Sequence, residues 1–79
     1  MATQKEIKQE EQKLRRLRFL VDFTAQLLYQ QDMTMVEMLE LVQATKQRIL
    51  ELFPDKEETY NLIYKPRFER IIRERLGSN

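Results

Sequence analysis

Glu57 and Glu58 are adjacent carboxylates, and paired carboxylates can divide acid and base roles between them. On a helix, however, sequence neighbours point different ways. Glu58 also stands three residues after Asp55, where it would complete a helix cap. An all-carboxylate Mg²⁺ site needs converging ligands, and the spacing of the acids offers none. Lysines and tyrosines are the other groups able to exchange protons. The chain has no His and no Cys, which removes the imidazole base, the thiolate nucleophile and the usual zinc ligands. Its only Ser is Ser78, and its one Gly cannot build a phosphate-binding loop. An enzyme is therefore not expected, nor a cofactor or a bound metal.

Phosphate recognition is the second chemistry the residues could support. The segment KPRFERIIRER sets Lys65, Arg67, Arg70, Arg73 and Arg75 against Glu69 and Glu74, with Tyr64 and Phe68 interleaved. Cations and aromatic rings in this mixture can grip a nucleic-acid backbone, with Arg67, Arg70 and Arg73 as the contacts. A plainer reading competes with it. Cations near a helix C-terminus complement the macrodipole, and Glu69 and Arg73 are spaced as an i,i+4 pair. Net charge is only +1, and residues 33–58 hold six acidic and three basic side chains. Nucleic acid is thus kept as the alternative. Lys13, Arg15, Arg16 and Arg18 fan out around a helix, and Glu11 can pair with Arg15, so this run reads as a solvated face.

Helices must position all of these groups. One Gly and two Pro in 79 residues leave few turns. Three capping boxes can be read: Thr3 with Glu6, Thr34 with Glu37, and Asp55 with Glu58. Met33 and Met38 flank the second as a hydrophobic staple. Helix 1 is expected over 4–30. Ile7, Leu14, Leu17, Val21 and Leu28 form a heptad-like row, with Thr24 in one place, and Leu20, Phe23 and Leu27 form a second row with Phe19 beside it. Helix 2 is expected over 35–53, with Met35, Met38, Leu39, Val42, Ile49, Leu52 and Phe53 on one face, and Pro54 ending it. Helix 3 opens at Asp55. Pro66 should break or kink it and begin a fourth segment with Phe68, Ile71, Ile72 and Leu76 on one face and Gly77 as its cap.

The expected fold is all-α: a small bundle of three to four helices with a long first helix and a last helix broken or kinked near Pro66. Residues 1–13 form a charged extension of helix 1, 14–76 the single helical domain, and 77–79 a tail. The N-terminal residues lack the apolar core of a signal peptide, and no apolar run approaches the ~20 residues of a membrane span. A cytoplasmic protein away from the membrane is expected.

Helix 1 is apolar over most of its circumference between Leu17 and Tyr29. A bundle helix usually needs only a ~100° stripe. The excess points to association, most simply a homodimer using Leu17, Leu20, Phe23, Leu27 and Leu28, with a larger protein partner also conceivable. The competing arrangement makes helix 1 the centre of a compact monomer. The functional expectation is a non-enzymatic protein–protein interaction module, an adaptor or regulator.

Overall fold

The computed structural model describes residues 3–77. They form α1 (Gln4–Gln30), α2 (Met35–Leu52), a short α3 (Glu57–Thr59), a π-helical segment (Tyr60–Tyr64) and α4 (Lys65–Gly77). The last three run on as one interrupted helix, so the architecture is an all-α bundle of three rods, each antiparallel to the next. No strand occurs among the described residues.

Two of the three expected caps hold their helices. Thr3 Oγ1 accepts from Glu6 N–H at 3.2 Å. At α2 the box is complete: Glu37 N–H donates to Thr34 Oγ1 at 3.1 Å, and Thr34 N–H donates to Glu37 Oε1 at 2.9 Å. Those contacts, the Thr34 N–H first and its hydroxyl second, hold the Glu37 carboxyl below the usual carboxylate range. Replacing Thr34 by Ala leaves one helix-end donor without its partner. It should cost about 1 kcal/mol in thermal unfolding at neutral pH. A depressed carboxyl pKa stabilises the fold above its unfolded value and loses that effect as pH falls through the folded value. The Thr34→Ala deficit should therefore shrink on acidification below pH ~4, which melts of the two proteins across that range would measure.

The third cap is not made. The N-cap of α3 is Lys56, without any side-chain cap bond. Pro54 and Asp55 are taken up in a turn closed by Lys56 N–H to Phe53 O at 3.1 Å, which moves the N-cap one residue past Asp55 and the first helical residue to Glu57. Gly77 is the last helical residue rather than a cap beyond the helix, and its φ is not positive. Ser78 and Asn79 of the expected tail, and Met1 and Ala2, lie outside the described residues.

The interruption falls ahead of Pro66, which sits second in α4. In an α-helix its ring would strike the carbonyl four residues back. Here Lys65 N–H reaches Tyr60 O, a five-residue step. The wider turn lets the helix continue through the proline.

The core joins Val21 and Leu28 of α1, Met38 and Ile49 of α2, and Tyr60, Phe68, Ile71 and Ile72 of the last helix. Thr24 and Thr45 are buried with them. Thr45 Oγ1 gives its proton to Leu41 O at 2.9 Å. Thr24 Oγ1, 2.7 Å away, must therefore be the donor to Thr45. This bond ties α1 to α2 and turns the buried face of α2 toward Met38, Thr45 and Ile49. Met35 and Leu39, expected on that face, are exposed instead.

Candidate apolar interface on α1

The first helix is much longer than its neighbours. At ~1.5 Å per residue α1 spans ~40 Å and α2 ~27 Å, and the molecule measures 53 × 22 × 15 Å. Residues 4–12 of α1 are exposed on every side. From Leu14 onward the helix meets the bundle.

The five apolar residues expected at an interface divide into three kinds of position. Leu28 is 0% exposed and belongs to the core of the single chain, so it has no surface to offer a partner. Leu17, Leu20 and Leu27 are half-buried at the edge of that core. Phe23 faces solvent at 47% exposure, and Phe19, one helical turn earlier, at 61%. Their rings stack with centroids 5.5 Å apart and planes 9° apart. Leu52 of α2 and Phe19 line the same open groove, whose rim carries Lys13, Arg15 and Arg16. The sequence pattern placed Phe19 beside the interface row; in the fold it is the most exposed residue of the aromatic pair.

No protein-family model, curated protein or solved structure matches the chain.

The arginines considered for nucleic acid lie along α4. Arg70 Nε donates to Glu74 Oε1 at 3.2 Å, and Glu74 Oε2 accepts from Tyr29 OH at 3.3 Å. The i,i+4 ion pair of this helix is therefore Arg70–Glu74, not Glu69–Arg73. Arg67 and Arg70 share a groove with Asp22 and Glu74, so two carboxylates stand where a phosphate would have to enter. Arg73 is exposed. Arg75 donates to Gln31 O at 2.6 Å, fastening α4 to the end of α1. On α1 the ion pair is Lys13–Glu10 at 3.6 Å, not Glu11–Arg15.

A small apolar cleft of about 220 Å³ lies between α1 and the last helix, lined by Leu14, Leu17, Ile49, Phe53, Tyr60 and Tyr64. It is below the ~300 Å³ at which small-molecule pockets begin. Tyr60 is 2% exposed, and its hydroxyl has no hydrogen-bond partner. Lys46 Nζ sits 5.7 Å from the ring centroid and pairs with Glu57 at 3.3 Å. Burial, with the charge of Glu69 adding to it, pushes the Tyr60 phenol up to about 12. The group is neutral at pH 7 whether folded or not, so its effect on stability is felt only in alkali. A raised phenol pKa stabilises below the unfolded value near 10 and loses that effect as pH rises toward 12. Tyr60→Phe removes a buried, unpartnered hydroxyl. It should leave stability at pH 7 equal or higher by up to about 1 kcal/mol. It should also unfold less readily than the parent between pH 10 and 12, as alkaline melts of both proteins would report.

Proposed function

We infer that the chain is a non-enzymatic protein–protein interaction module, a homodimeric helical bundle serving as an adaptor or regulator. The observation that carries this reading is the stacked Phe19–Phe23 pair, 61% and 47% exposed on the solvent side of α1. Large exposed aromatic rings flanked by half-buried leucines form the kind of centre that dominates protein interfaces. A two-fold dimer would set this patch against its own copy, so one set of residues satisfies both sides. Leu20, Phe23 and Leu27, with Phe19, form the proposed contact; Leu17 borders it. The nucleic-acid alternative, through Arg67, Arg70 and Arg73, finds less support, because Asp22 and Glu74 share the groove of the first two. Sedimentation equilibrium across a concentration range tests the reading. A dimer mass is expected, and a clean monomer at high micromolar concentration would overturn it.

A further inference from the structure

The exposed face of α1 changes character along its length. Lys5, Gln9, Gln12 and Arg16 precede Phe19, Phe23, Leu27 and Gln30 at steps of three and four residues, and so share their face. Lys8 and Arg15 border that row, and all four of these cations are exposed. Glu6 and Glu10 lie around the helix from it. At the other end of the bundle the balance reverses. Residues 30–45 carry Asp32, Glu37 and Glu40, all exposed, and no Lys or Arg.

We propose that two copies meet antiparallel about a two-fold axis midway between Phe19 and Phe23, so that the basic first turns of each α1 lie over the acidic α1–α2 corner of the other. The proposal rests on the homodimer reading and adds its direction and register. That axis sets Phe19 against Phe23 of the second copy and Gln12 against its Gln30. It also carries Lys8 level with the start of α2 of that copy and Lys5 a few ångströms past it, at the end of the bundle that holds Asp32 and Glu37. A parallel pairing would stack Lys5 on Lys5 and Arg16 on Arg16, and would set the two acidic corners side by side. Like charges juxtaposed across an interface are penalised, and complementary ones fix register. The antiparallel arrangement also gives the first turns of α1 something to lie on. Within one chain residues 4–12 touch almost nothing, and an isolated helical segment of that length is marginal in water.

The cysteine-free sequence permits a direct test. Gln12→Cys and Gln30→Cys are both exposed positions on this face, about 27 Å apart along one helix. The two variants, one carrying a size tag, are mixed and treated with a short bis-maleimide. The expected product is the mixed dimer of the two variants, with neither variant linking to itself. Self-linked products from a chain that sediments as a dimer would overturn the antiparallel register and leave the homodimer reading intact. A sedimenting dimer with no linked product would place the contact on another face and overturn the proposal. A monomer by sedimentation would overturn the homodimer reading itself. As a second measurement, Lys5→Glu with Lys8→Glu should raise the dimer dissociation constant about tenfold, and adding Asp32→Lys with Glu40→Lys to the same chain should restore it. Unchanged affinity in the first variant would overturn the electrostatic register.

Discussion

Phe68→Ala is expected to abolish most of the cooperative fold. Phe68 is 1% exposed and belongs to the single buried cluster that also takes Leu28 from α1 and Met38 and Ile49 from α2. Truncating a buried Phe to Ala costs ~3–5 kcal/mol, from lost burial and the cavity left behind. A domain of this size holds only about 5–10 kcal/mol in total. Urea unfolding followed by circular dichroism should show a midpoint moved far toward zero denaturant. A midpoint within a few tenths molar of the parent would mean that Phe68 is not at the centre of the core.

Phe23→Asp should do the reverse: it should separate the copies and spare the fold. From the sequence pattern alone a loss of folding would be expected as well, because Phe23 belongs to an apolar row. In the structure the ring is 47% exposed and stacks only at the surface on Phe19. An aromatic at the centre of an interface contributes ~2 kcal/mol or more, and a two-fold contact counts it twice. The dimer constant should weaken about a thousandfold, while helicity by circular dichroism stays near that of the parent. A variant that remains a dimer would remove Phe23 from the interface. A variant that unfolds would mean that the ring supports the core.

How legible these features are depends on whether their causes are local. The bounds of α1 and the box at Thr34 can be read directly, because capping chemistry involves residues three positions apart. Pro54 closes α2 for the same kind of reason. The cap at Asp55 misleads, since the Phe53–Lys56 turn competes for the same residues. The face of α2 is less legible. Apolar periodicity drew it through Met35 and Leu39, but its centre is Thr45, held by a bond to Thr24 on another helix. A polar pair at the core leaves no mark in a hydrophobic pattern. The candidate interface is legible as an excess of apolar residues on α1. Which of them face outward is not, because that depends on where α2 and α4 settle: Leu28 turns inward and Phe19 outward.

The π-helical segment has a consequence for how this chain can vary in length. Tyr60, Tyr64 and Phe68 recur every four residues, and on an uninterrupted α-helix such a row drifts ~40° per step. The wide turn over Tyr60–Tyr64 takes up one extra residue and cancels that drift, so that Tyr60 and Phe68 both reach the core. Losing a single residue here would not merely shorten a loop. It would rotate everything before it by ~100° relative to everything after it, turning Tyr60 out of the core and carrying Pro66 into a turn with no room for its ring. Insertions and deletions are thus tolerated least in the stretch whose side chains Leu62 and Ile63 look most dispensable, exposed as they are at 72% and 50%.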